Sequence, residues 1–220
     1  MLGLRRALPC EEHTLSKLHI FVAIALLAAS LGALAPFSGS LLAGAAEPAD
    51  HVQSFDLQHS TMTVYVYKQG IFAFASDNHE ISAPIVSGSL DDALHAVELN
   101  VDATKMRVVD PKSSSGQRDK VQANMLGPDI LDVQNFPAIS YRSTKIDETD
   151  ARHWSVAGNL TLHGQTHPVS VRVEKLDAVR FSGSAIVQQS TFGITPLKVA
   201  GGTIRVKDEV KIEFAITVAR

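Results

Sequence analysis

His79 lies in the run Asp77-Asn78-His79-Glu80, an imidazole with two carboxylates and an amide within four residues. Such a set can move a proton, hold a phosphate or join the ligands of a metal. Asn and Asp also bond their own backbone in turns, and a loop between the aromatic pair Phe72 and Phe74 and Pro84 accounts for the same residues. His163 and His167 are four apart, a spacing that on a helix would put two ligands on one face, but Gly164 between them marks a hairpin. Metal ligand sets need three or four converging groups, and neither His79 nor this pair shows convergence, so no metal or cofactor is expected. The planar fork of Arg118 suits a phosphate or carboxylate head, while Asp119 suits the free N–H groups of a helix start. Lys207-Asp208-Glu209 reads as a solvated strand end or turn. No GxSxG elbow, Walker loop or HExxH motif occurs. No enzyme is therefore expected, with a hydrolase built on His79 and nearby carboxylates as the chemical alternative.

The elements that would position these groups are strands. From Trp154 to Arg220 apolar residues fall on alternate positions in four runs, through Trp154, Val156, Leu160 and Leu162, then Val169 to Val173, then Phe181, Ala185 and Val187, then Val210 to Val218. Period two puts successive side chains on opposite faces, so each run has one apolar and one polar face. Earlier strands are expected at Thr61–Tyr67, Ile81–Gly88, Ala96–Ala103 and Ala138–Thr144. One stretch departs from the pattern. Val121, Met125 and Leu126 follow helical spacing and Gly127-Pro128 supplies a stop, which predicts a helix over Gln117–Leu126 and a helical turn at Asp129–Val133. The count is seven to nine antiparallel strands with one short helical insertion, an all-β chain that can close as a barrel or stack as a sandwich.

With 220 residues, 45% hydrophobic and 20% charged, a net charge of -3 gives no basic field for nucleic acid or an anionic membrane. Arg5, Arg6 and Lys17 precede an apolar run from Ile20 to Ala35, and Ala43 and Ala45 fit an Ala-x-Ala cleavage pattern. Residues 1–45 therefore read as a signal peptide, 46–54 as a polar spacer and 55–220 as the domain. A retained anchor is the alternative, and either places the domain in the periplasm or outside the cell. Cys10, the single cysteine, falls in the leader, so the domain has neither disulfide nor thiol nucleophile.

Five segments, in order, carry a resemblance. They are KQGIFAFASDNHEI at Lys68–Ile81, Arg118-Asp119, DVQNFPAISYRS at Asp132–Ser143, GNLTLHG at Gly158–Gly164 with Pro168-Val169 after it, and FGITP at Phe192–Pro196 followed by GGTIRVKDEV at Gly201–Val210. Together they resemble the YceI-like proteins, a lipocalin-like group exported by many bacteria. The resemblance implies a barrel of about eight antiparallel strands around an elongated apolar cavity, a polyisoprenoid or other long-chain lipid as ligand, and no established catalytic set. Related sequences often read His-x-His-Glu where this chain has Asp77-Asn78-His79-Glu80, so a role needing two histidines there does not carry over. The expected lining is Phe72, Phe74, Phe136, Trp154, Leu160, Leu162, Phe181, Phe192, Ile204 and Phe214. The same residues can equally pack as a filled core, which would leave a protein-interaction module. Asp77, Asn78, His79, Glu80 and Arg118 are the expected polar rim. Membrane contact is expected only through the leader or lipid exchange, and Tyr65 and Tyr67 on the outer face leave room for a homodimer.

Overall fold

A computed structural model describes residues 51–69, 78–92, 95–199, 201 and 204–219, apart from the side chains of Val199 and Ile204. The described residues form twelve strands and one α-helix. The strands are β1 (Val52–Ser54), β2 (Thr61–Gln69), β3 (His79–Ser82), β4 (Ile85–Asp91), β5 (Ala96–Asp102), β6 (Arg107–Val108), β7 (Ala138–Asp150), β8 (His153–Leu162), β9 (Gln165–Lys175), β10 (Arg180–Gln188), β11 (Lys198–Val199) and β12 (Ile204–Thr217). The helix α1 spans Ser115–Leu126.

All strand pairs are antiparallel and belong to one sheet, ordered β1-β4-β5-β7-β8-β9-β10-β12-β2-β3-β6 with β11 beside β12. Sequence reading expects one strand over Ile81–Gly88, and the structure divides it at Ala83-Pro84. Proline lacks the N–H that a ladder needs, so the chain bends there. Its first half pairs with β2 and its second with β5. Counting β3 and β4 as one bent strand, the ring β2, β3/β4, β5, β7, β8, β9, β10, β12 has eight members, and the bend closes the sheet on itself. An antiparallel, all-β barrel of lipocalin type results. A second seam reinforces closure, where Phe55 bridges Val218 and donates its N–H to Gly88 O at 2.9 Å.

Hairpin connections alternate between the two ends of the barrel. One end carries the short turns β4–β5, β7–β8 and β9–β10 and is called here the hairpin end. The other carries the long β6–α1–β7 connection and is the helix end. The helix begins earlier than expected. Ser114 is its N-cap, accepting from Gln117 N while the Gln117 side chain accepts from Ser114 N, a capping box three residues ahead of the expected start. Asp119 is accordingly inside the helix and not at its start, a correction that follows from Ser114 outcompeting it for the free N–H groups. Gln122 clamps the helix to β6, accepting Val108 N–H and donating to Met106 O, both at 2.8 Å. Val121, Met125 and Leu126 pack with Ala103, Met106, Val108, Leu131 and Ile194 into a plug at this end.

Candidate functional site

Period-two alternation fixes what the barrel contains. On the inward phase stand Met62, Val64 and Val66 of β2, Val97, Leu99 and Val101 of β5, Val169, Val171 and Val173 of β9, and Val210, Ile212, Phe214, Ile216 and Val218 of β12 and its end. These and their neighbours line a continuous cavity of about 420 Å³. Such a volume lies within the roughly 300–1,000 Å³ of small-molecule sites. At the helix end Met106, Met125, Ile130, Leu131 and Ile194 form its floor. Toward the hairpin end the wall is Leu90, Ile146, Trp154 and Phe181, and the exposed residues Asp92 and His95 line it as well, so the cavity opens there.

Space inside is kept by glycines. A Cβ on Gly183 would overlap the Phe214 ring, one on Gly158 the Tyr141 ring, and one on Gly88 the Phe55 ring. Each aromatic ring occupies the space that a side chain at the glycine would fill, and Phe214 pairs directly with Gly183. A side chain at any of the three glycines would displace a ring of the cavity lining. Tyr141 also donates its hydroxyl to Val156 O at 3.1 Å, and burial pushes that hydroxyl up to about 12.

Of the expected lining residues, Trp154, Leu160, Leu162, Phe181 and Phe214 reach the cavity wall. Phe72 and Phe74 and the Ile204 side chain lie outside the described residues. Two others are elsewhere. Phe136 stacks edge-on against His163, ring centroids 4.9 Å apart, and covers Gly164 at the β8–β9 turn. Phe192 is 1% exposed and packs behind the wall with Leu160, Val187 and Val210. A short helical turn over Gln189–Phe192 takes it off the strand alternation, and sequence spacing gave no sign of that turn.

The expected polar rim also divides. Asp77 lies outside the described residues. Asn78, His79, Glu80 and Arg118 are described and are not on the cavity wall. His79 donates Nδ1–H to Asp110 Oδ2 at 2.6 Å, Glu80 donates its backbone N–H to Asp110 Oδ1 at 2.6 Å, and Asn78 Oδ1 accepts from Lys68 N. Arg118 spends its guanidinium on the carbonyls of Asp110 and Ser113. Their physical role is to fasten the β6–α1 segment to β3, with Asp110 the one charged side chain buried among the described residues. His163 and His167 bracket a tight turn, His163 and Gly164 both having positive φ (50° and 72°), as hairpin geometry requires. Among the described residues no three His, Cys, Asp or Glu side chains converge as a metal site. Lys207-Asp208-Glu209 is a bulge inside β12 and not its end, Asp208 holding Ser190 through Ser190 N at 2.7 Å.

A family model described as the YceI-like domain matches residues 53–218. The chain belongs to the YceI-like family. A UPF0312 protein of Vibrio cholerae is 24% identical over 178 residues, covering 77% of this chain and 88% of its own. Among solved structures, BcnA of Burkholderia cenocepacia matches with a TM-score of 0.54 at 19% identity, over 76% of this chain and 99% of its own. A polyisoprenoid-binding domain from Saccharophagus degradans, implicated in plant cell wall breakdown, has the same TM-score at 12% identity, over 76% and 97% of the two chains. These likenesses carry the fold, and the YceI-like barrel of this chain carries its own wall.

Polar groups do reach that wall, and sequence reading missed them. Asp91, Asp92, His95 and Lys175 line the cavity at the hairpin end of the YceI-like barrel. The signal was present in the alternation, since Lys175 continues Val169, Val171 and Val173, and His95 precedes Val97, Leu99 and Val101 at the same interval.

Proposed function

We propose that this YceI-like protein binds a long apolar molecule, an isoprenoid or similar lipid, with its tail inside the barrel, and sequesters or carries it outside the cytoplasm. One observation carries the reading. The inward faces of eight ring strands meet around a continuous cavity of about 420 Å³ whose wall is almost wholly aliphatic and aromatic. Unfilled apolar volume forfeits packing, and a slender hydrocarbon entering it gains about 25 cal/mol for each Å² of apolar surface removed from water. The polyisoprenoid-binding description of the Saccharophagus degradans relative supports the same class of ligand. Export through the leader at residues 1–45 agrees with a carrier that meets lipid in the cell envelope. Binding needs no proton transfer, and the imidazole nearest to a chemical role, His79, is engaged by Asp110 away from the cavity.

The test is native mass spectrometry, with organic extraction, of protein purified from its own envelope without detergent. A stoichiometric lipid is expected, and Leu162→Trp, which projects an indole ring from the cavity wall in place of an isobutyl group, should abolish it. Protein that arrives empty and also takes up no isoprenoid from solution would overturn the reading.

A further inference from the structure

The inward phase of β9 reads Val169, Val171, Val173, Lys175. A lysine at the end of an otherwise aliphatic row lays its stem along the apolar wall and carries its charge to the opening. Three cations toward this end are answered by carboxylates, Arg152 by Glu174 at 3.0 Å, Arg180 by Asp177 at 2.6 Å and Lys145 by Asp147 at 2.7 Å. Lys175 differs. Its ammonium has no carboxylate partner among the described residues and stands over the Phe181 ring, 5.9 Å from Nζ to the centroid. Phe181 is itself on the wall, so the ammonium stands over the mouth of the cavity. His95, held at φ 49° on the β4–β5 turn, adds a second donor to the same opening. Two carboxylates share it, with Asp92 accepting from Gln53 Nε2 at 2.9 Å. Asp92 disfavours anionic charge beyond the one that Lys175 answers.

We infer that Lys175 anchors the head group of the bound molecule, which places the head at the hairpin end and the tail toward α1, and selects an amphiphile whose head presents one acceptor oxygen, a single carboxylate or phosphate charge or a carbonyl. This rests on the apolar-ligand reading and adds to it an orientation and a head-group class. The ammonium supplies charge-assisted donation where the surrounding apolar wall screens little, while the Met106 and Met125 floor offers a head nothing.

Three probes with one tail and different heads test it by fluorescence displacement at neutral pH: hexadecanoate, hexadecanol and hexadecylamine. The wild-type protein should bind hexadecanoate about tenfold more tightly than hexadecylamine. Lys175→Met should erase that ratio while leaving hexadecanol within about twofold, because only the head contact is removed. Lys175→Arg should keep the ratio. An unchanged ratio in Lys175→Met, or a ratio lost instead in Arg118→Met at the helix end, would overturn the head-group assignment and leave the carrier reading standing. Failure of all three probes to bind would overturn the carrier reading and this inference together.

Discussion

Asp110 and Tyr141 show how single side chains acquire roles that their identity does not announce. Asp110 has no place in any sequence pattern, yet it is 2% exposed and takes hydrogen bonds from His79 and from Glu80 N–H, 30 residues or more away along the chain. A buried carboxylate is tolerated only when its oxygens are met, and here β3 meets them. His79 was legible as chemically capable, but its partner was not, because the pairing exists only after β6 is laid beside β3. Tyr141 gives a prediction at this scale. Burial raises its hydroxyl from the ordinary 10.0 to about 12. The unfolded chain releases that proton near pH 10 while the folded protein keeps it, so stability from this residue is complete below pH 10 and is lost as pH rises toward 12. Urea unfolding across that window should show a decline in the wild-type protein that is shallower in Tyr141→Phe, with tyrosinate absorbance of the native state rising correspondingly late.

Among the elements, strand phase and glycine placement together decide whether the barrel is filled. Alternation in β8, β9, β10 and β12 was readable because each strand has one wet and one dry face, so selection of side chains leaves a period of two. The glycines were readable only as interruptions. Their use is to seat a neighbouring ring against the sheet, as Gly183 seats Phe214. Gly183→Ala should therefore drive the Phe214 ring inward and press on the Arg172 carbonyl, at a cost of about 1–3 kcal/mol. Thermal unfolding should record the loss, and lipid uptake should fall with it. Equal stability and undiminished uptake would mean that the ring has room to move along the wall. The helix illustrates the opposite case, since its existence followed from spacing and its start followed from Ser114 and Gln117, a short-range competition that any of several polar residues could have won.

For the whole molecule, closure makes the strands one cooperative unit. Phe55 sits on the seam, 9% exposed, packed with Ile85, Ile216 and Val218 and lying over Gly88. Phe55→Ala should cost about 3–5 kcal/mol and lower the urea midpoint without splitting the transition, because no strand of the ring has a core of its own. Two separated transitions would show that the halves of the sheet fold independently. Sequence by itself determined the strand class, the inward face of most strands, the helical insertion and the hairpin at Gly164, all of which rest on contacts between residues near in the chain or on a periodicity each strand carries alone. Tertiary structure decided the rest. Whether Phe136 and Phe192 lie on the cavity wall or against a neighbour, that His79 serves Asp110, that Lys175 reaches the cavity wall and Glu80 does not, and that the interior stays open all depend on which strands become neighbours. That depends on a bend at Pro84 and a seam at Phe55, and on volumes summed around a ring, quantities that no local stretch of sequence contains.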